Sequence, residues 1–160
     1  MDKRFLPEIN AINEKIVAFN QYLNPKYKLP VFDFDRMIEQ KQCIKIVHGN
    51  YKAFGFPNSA KRGVYFIFGH EKTNEAKNGL YIGKASFRSA IGKRLYTRFT
   101  HNRESGFFEM NGYHNERYVL DYMASIDLDS LNMAFLATAL EEYLISELKK
   151  SLNLLNGTGN

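Results

Sequence analysis

Residues 63–83 read GVYFIFGHEKTNEAKNGLYIG. An apolar run lies at each end of this stretch, and each run is bounded by glycine and contains one tyrosine, Tyr65 in the first and Tyr81 in the second. Short apolar runs bounded by glycine are typical of adjacent strands, so the stretch predicts a β-hairpin. The polar residues from His70 to Gly79 are expected to link the two strands.

Length and composition limit the class of protein. The chain has 160 residues, 44% of them hydrophobic, which is enough for one domain with its own core. No segment approaches the roughly 18 consecutive apolar residues of a membrane span, and the first residues do not resemble a signal peptide. The single cysteine, Cys43, excludes an internal disulfide and a multi-cysteine zinc site, and its apolar neighbours predict a small buried side chain. We therefore expect a soluble, cytoplasmic protein with no membrane partner.

The charge of the chain indicates an anionic partner, because its formal net charge is +5 at pH 7. The segment from residue 84 to residue 103 contains no aspartate or glutamate and carries six cations: Lys84, Arg88, Lys93, Arg94, Arg98 and Arg103. Arg94 and Arg98 are four residues apart, so they share one face of a predicted helix, from which they can contact neighbouring phosphates. Nucleic acid is the first candidate partner, and a solvated helix face is the alternative explanation.

Hydrophobic periodicity and breaker residues predict the other elements. The predicted helices are Leu6 to Tyr22, Phe87 to Thr100 and Leu131 to Leu152, with a short one around Asp35 to Gln40. The predicted strands outside the hairpin are Arg117 to Ile126 and two short extended pieces, Pro30 to Phe34 and Cys43 to Val47. The polar segment from Asn102 to Asn115 is expected to be a loop.

The last helix places one carboxylate on its apolar side. At about 100° per residue, Glu141 lies among Leu144, Ile145 and Leu148, whereas Glu142 lies on the polar side. A buried carboxylate without a partner is costly, so it shifts its pKa, pairs with a cation or binds a metal ion. The alternative is a glutamate at the rim of the apolar stripe that reaches solvent or an arginine, and periodicity alone does not choose between them.

Together these residues resemble the GIY-YIG nuclease family. The two motifs that give the family its name correspond to Gly63-Val64-Tyr65 and Tyr81-Ile82-Gly83. The resemblance continues through Lys84, Arg94, the run Ala139-Leu140-Glu141 and Leu152-Asn153, and covers roughly residues 61–153. Two departures are a longer stretch between the tyrosine motifs, which implies an enlarged hairpin loop, and Val64 in place of isoleucine. Arg98 stands where members of the family often have histidine or another polar residue.

The resemblance implies a fold of the α/β (α+β) class. We expect a small antiparallel three-stranded sheet flanked by helices over residues 61–160. Residues 1–60 are then a mainly helical N-terminal extension that serves DNA recognition or dimerisation.

The resemblance also implies the active site. It assigns catalytic positions to Tyr65, Tyr81, Lys84, Arg94, Glu141 and Asn153, and DNA contacts to Arg88, Lys93, Arg98, His101 and Arg103. Glu141 is expected to be the sole protein ligand of one Mg²⁺ per active site, with Mn²⁺ as a substitute.

Each remaining catalytic position has an implied role. Tyr65 is expected to orient or deprotonate the attacking water, with Lys84 and the metal lowering its pKa, and Tyr81 to bind phosphate or water. Arg94 is expected to offset charge on the phosphate, and Asn153 to brace the site. The alternatives are that the tyrosines are ordinary aromatic strand residues and that Asn153 only ends a helix.

The function implied by this family is metal-dependent hydrolysis of phosphodiester bonds in double-stranded DNA. Because the extension is compact, a site-specific, restriction-like endonuclease is the first choice, and a homodimer is a candidate assembly. The alternatives are a homing, repair or recombination nuclease of the same family, a nucleic-acid-binding module that does not cleave, and an unrelated basic α/β protein with chance motif matches.

Overall fold

The computed structural model describes residues 1–47, 55–101, 108–110 and 118–156. The helices are α1 (Leu6–Phe19), α2 (Ile91–Arg98) and α3 (Ala137–Leu148). The strands are β1 (Cys43–Lys45), β2 (Gly63–Glu71), β3 (Asn74–Ala85), β4 (Phe99–His101), β5 (Phe108–Met110) and β6 (Tyr118–Asp127). Helices and strands thus occur in one chain, and the predicted mixed α/β class is confirmed.

The main sheet contains four antiparallel strands in the order β1-β6-β2-β3. Three of them form the predicted sheet, and the fourth, β1, is the predicted extended piece at Cys43, which joins the sheet by pairing Cys43 with Ala124 of β6. Burial explains this addition, because Cys43 and Ala124 are both buried in one core. A short second sheet joins β4 to β5.

The hairpin is confirmed, but the prediction of an enlarged loop between its strands is wrong. Both strands continue beyond the apolar runs, so that only Lys72 and Thr73 connect them. The residues from Asn74 to Lys77 are polar because this end of β3 is exposed to solvent, although its backbone is in strand conformation. The polarity of these residues therefore indicates that they are exposed to solvent, and it does not indicate a loop.

The region around α2 also differs from its prediction. The helix begins at Ile91 and not at Phe87, because the chain first forms a turn in which Ser89 N donates to Ser86 O over 3.1 Å. Its end at Arg98 is followed by β4, whose partner β5 falls inside the segment predicted as a loop. Gly92 is the second residue of α2, where its N–H has no partner within the helix and donates to Ser59 O over 2.8 Å. A Cβ at this position would lie 2.9 Å from that oxygen.

The other predictions differ in their outcomes. Helix α1 and strand β6 match the sequence closely, and α3 begins six residues later than predicted, after a 3-10 turn over Ala134–Leu136. The short helix predicted at 35–40 is a series of turns, and 30–34 is not a strand. The predicted loop 102–115 lies mostly outside the described residues. The boundary between extension and catalytic domain at residue 60 stays a prediction.

Two cores lie on opposite faces of the sheet. On one face, Val64, Phe66 and Phe68 of β2 pack with the apolar sides of α1 and α3. On the other face, Tyr65 and Ile67 pack with Ile91 and Leu95 of α2. The alternation of side chains along β2 therefore directs the tyrosine towards the basic helix.

Two further features follow from the sequence. Cys43 is fully buried, and this burial raises the pKa of its thiol to about 12, so the predicted small buried side chain is confirmed. In the described ranges, every helix is too short or too polar to cross a bilayer.

Candidate active site at the edge of the sheet

The two tyrosines lie side by side on the face of the sheet that packs against α2. Tyr65 is paired across the strands with Gly83, and Tyr81 with Ile67, so that Tyr65 and Tyr81 extend from neighbouring strands to the same face. Their ring centroids are 6.2 Å apart with an interplanar angle of 31°. Both side chains are almost completely buried.

Gly83 allows the Tyr65 ring to lie across β3. A Cβ at position 83 would overlap Cζ, Oη and Cε2 of Tyr65. The Tyr65 hydroxyl therefore lies directly over the backbone of β3, which is the edge strand of the main sheet. The position of the Tyr65 ring thus explains why residue 83, in the second motif, has no side chain.

Lys84 and Glu141 meet at the same edge. Lys84 follows Gly83 and is paired with Val64, so it extends to the other face of the sheet, against which α3 packs. Its Nζ lies 2.8 Å from Glu141 Oε2, and the two side chains are 28% and 15% exposed. Glu141 is thus partly buried at the rim of the apolar stripe, and its partner is a lysine.

The phenol of Tyr65 interacts electrostatically with groups from three elements. Burial raises its pKa most, and the nearby Tyr81 and Glu141 raise it further, whereas the charge of Arg98 lowers it. Because burial outweighs Arg98, Tyr65 is protonated at neutral pH. The cation that lowers this pKa comes from α2, and Lys84 is instead paired with Glu141.

Tyr65 and Tyr81 thus lie on one face of β3 and the Lys84–Glu141 pair on the other, and the charge of Glu141 acts on the Tyr65 phenol. Arg98, which the sequence assigned only to DNA contact, also acts on this phenol. Arg94 lies one turn earlier on α2 with an exposed side chain that makes no hydrogen bond or ion pair to a described residue. Arg88 and Lys93 are also exposed. The side chains of His101 and Arg103 lie outside the described part of the chain.

Asn153 lies at the same edge strand but towards its other end. Its amide nitrogen donates to Asn78 O and to Tyr118 Oη, both over 2.8 Å. Asn156, which the sequence analysis did not select, is bonded to the tyrosine motif itself. Its Oδ1 accepts from Ile82 N over 2.9 Å, and its Nδ2 donates to Ile82 O over 2.7 Å.

No local pattern distinguishes Asn156 from other polar residues after a helix. Its role depends on the C-terminal segment running beside β3, where Leu80 N donates to Asn153 O and Leu155 N donates to Leu80 O. These bonds form a short parallel bridge between Leu80 and Leu154.

The donor groups at this edge are compatible with one hard cation. Glu141 Oε2 accepts from Lys84, and no described residue bonds the other carboxylate oxygen, Oε1. Within the described ranges there is no cluster of three or more His, Cys, Asp or Glu side chains. Mg²⁺ is suited to such a site because it binds few carboxylates and keeps several waters.

Comparisons of the chain with protein-family models, with curated proteins and with solved structures found no match. The resemblance of the tyrosine motifs to a nuclease family stays a prediction. The geometry at the edge of β3 is the observation from which a function can be argued.

Proposed function

We propose that this protein is a metal-dependent endonuclease of the GIY-YIG type that hydrolyses phosphodiester bonds in double-stranded DNA. The observation that carries the proposal is that Glu141 and Arg98 both act electrostatically on the Tyr65 phenol, with Tyr81 beside it and Lys84 paired with Glu141. A site-specific, restriction-like activity is the form we favour because the extension is compact. It contributes α1 and β1 to the body of the protein.

Glu141 is the proposed ligand of Mg²⁺, through the carboxylate oxygen that Lys84 does not bond. When bound, the metal would polarise the scissile phosphate and stabilise the leaving oxygen. Lys84 orients the carboxylate through its 2.8 Å contact and balances its charge before the ion binds. The site therefore needs only one acidic side chain.

Tyr65 is proposed to orient the attacking water through its hydroxyl. Its raised pKa favours this role over that of a general base, because the phenol keeps its proton at neutral pH. Tyr81 stands next to it and provides a second hydroxyl for water or a phosphate oxygen. The two phenols are thus proposed to act by positioning the water and the phosphate.

The two arginines of α2 are proposed to contact the DNA backbone. Arg98 lies near enough to the Tyr65 phenol to lower its pKa, so we propose that its charge also acts on the negative charge that develops on the phosphate. Arg94 shares its helix face and is exposed, which suits contact with a phosphate of the same strand. Separate substitutions of Arg98 and Arg94 distinguish which of these arginines offsets charge at the reacting phosphate.

Replacing Glu141 by glutamine tests the proposal directly. Glu141→Gln preserves the size of the side chain but removes the carboxylate, so we expect loss of Mg²⁺-dependent cleavage with DNA binding retained. Cleavage is measured on long unmodified DNA as discrete bands, and binding as fluorescence anisotropy of a labelled duplex without metal.

Glu142→Gln is the matched control, because Glu142 is exposed on the other side of the same helix turn. It should cleave as the unmodified protein does. Undiminished cleavage by Glu141→Gln would remove the ligand assignment. Binding without any cleavage by the unmodified protein would favour a nucleic-acid-binding module on this fold.

A further inference from the structure

Phe87 is an unusual residue for its position. Its side chain is 86% exposed, although it is a large apolar group. Its backbone has φ of 54°, a left-handed conformation that glycine and asparagine adopt readily and phenylalanine rarely does. It lies in the turn from Ser86 to Ser89 between β3 and α2.

The turn is attached to the body of the protein by a fixed arginine. Arg62 donates from N and Nε to the two carboxylate oxygens of Asp129, over 2.6 and 2.8 Å. Its Nη2 lies 2.6 Å from Asp129 Oδ1, and its Nη1 donates to Phe87 O over 3.5 Å. The backbone at Phe87 is therefore held while its ring is left in solvent.

The surroundings of Phe87 are basic and close to the candidate active site. Arg88 and Lys61 are exposed near the same turn, and Lys61 precedes Arg62. Phe87 follows Lys84 by three residues, so the chain places it within about 11 Å of that lysine. A polyanion bound at the site would pass this aromatic ring.

We propose that Phe87 inserts against a base step of the bound DNA, beside the phosphate at the Tyr65–Tyr81 site, and stacks on a nucleobase there. The inference rests on the proposed function, since it needs DNA at that site. Apolar wedges of this kind unstack base steps, and aromatic rings stack on any base because every base has a π-face. A residue that served only the turn would be glycine or asparagine, which adopt this φ without strain.

A tryptophan at this position provides the test, because the chain has no tryptophan of its own. Phe87→Trp creates a single tryptophan at the tip of the turn, and Phe135→Trp creates one at a 78% exposed aromatic position in the 3-10 turn before α3. Each variant is titrated with a short mixed-sequence DNA duplex without metal. We expect strong quenching at position 87 and little at position 135, and equal quenching at both would overturn the inference.

A second variant measures the contribution of the ring. Phe87→Gly removes the ring and relieves the left-handed strain, so we expect an unchanged or higher Tm and a DNA affinity lower by about 5- to 100-fold. Phe135→Ala is the control and should bind as the unmodified protein does. Equal affinity of Phe87→Gly and the unmodified protein would overturn the inference.

The two levels of failure are distinguishable. If the unmodified protein binds and cleaves the duplex while both Phe87 variants behave like their controls, only the stacking of Phe87 is wrong. If the unmodified protein does not bind duplex DNA at all, the proposed function fails, and the inference fails with it.

Discussion

At the scale of single residues, the candidate site depends on the absence of one side chain. The Tyr65 ring lies over β3 because Gly83 leaves room for it, whereas Lys84 extends to the opposite face and pairs with Glu141. The position of the Tyr65 hydroxyl therefore depends on the glycine. A substitution at position 83 acts on the site through Tyr65.

Replacing Gly83 by alanine should displace the Tyr65 ring. The added methyl overlaps three atoms of the ring, so we expect a loss of stability of about 1–3 kcal/mol and a larger loss of cleavage than of DNA binding. Urea unfolding and a comparison of kcat with KM measure the two effects. Gly55→Ala is the control because nothing lies within 4 Å of a Cβ there, and equal effects of both substitutions would contradict the steric argument.

The two arginines of α2 should differ in what they contribute. Arg98 is coupled to Tyr65, and Arg94 is exposed without a described partner. We expect Arg98→Ala to lower kcat more than DNA affinity, and Arg94→Ala to lower affinity at least as much as kcat. Single-turnover cleavage and anisotropy titration measure the two quantities. The reverse pattern would return the catalytic role to Arg94, as the family resemblance implies.

At the scale of elements, strand β3 is positioned from both sides. β2 bonds one edge along its length, and the C-terminal segment covers part of the other edge through Asn153, Leu155 and Asn156. The Asn156 amide bonds both backbone groups of Ile82, as a neighbouring strand would. The segment after α3 thus protects an edge that would otherwise be open.

Removing the Asn156 amide should loosen this edge. Asn156→Ala leaves the N–H and C=O of Ile82 without their partners, so we expect a loss of about 1–3 kcal/mol in the free energy of unfolding and faster amide exchange at Ile82. Urea unfolding and hydrogen exchange measure these changes. Asn10→Ala, at an exposed position of α1, is the control and should change stability by less than about 0.5 kcal/mol.

At the scale of the whole molecule, two cores are packed on one sheet and each contains a buried titratable group. Cys43 lies in the core with α1 and α3, and Tyr65 in the core with α2. Burial raises the pKa of both groups, because neither can ionise in an apolar environment at ordinary cost. The cores are therefore sensitive to alkaline pH.

Stability should fall as the pH rises above the ordinary thiol pKa of 9.0. The unfolded thiol ionises above that value and the folded one only near about 12, so the folded state binds more protons in this window and loses stability through it. The decline is at most about 1.4 kcal/mol per pH unit for one group, and Tyr65 adds to it above its ordinary pKa of 10.0.

Urea unfolding at pH values between about 8 and about 10 measures the decline. Cys43→Ala removes the thiol and should flatten the curve in that range, although its stability at neutral pH is lower. A curve for Cys43→Ala that runs parallel to that of the unmodified protein would show that the thiol does not cause the decline.

Much of the framework is predictable from local pattern. The hairpin, α1 and β6 follow from periodicity, since alternation and helical spacing record which side of each element is buried. The prediction of an enlarged loop at 70–79 is wrong for a related reason. Periodicity and polarity report exposure, and an exposed strand end and a loop have the same composition.

The order of residues by itself determined the hairpin, α1 and β6 and which of their faces are apolar, because these properties depend on near neighbours. Only the tertiary structure decided that β1 joins the sheet, that Glu141 pairs with Lys84, that Arg98 acts on Tyr65 and that Asn156 bonds Ile82. Each of these contacts joins elements that are separate in the chain. Strand order, register and the packing of helices on the sheet bring such groups within a few ångströms, and no local window of residues contains that information.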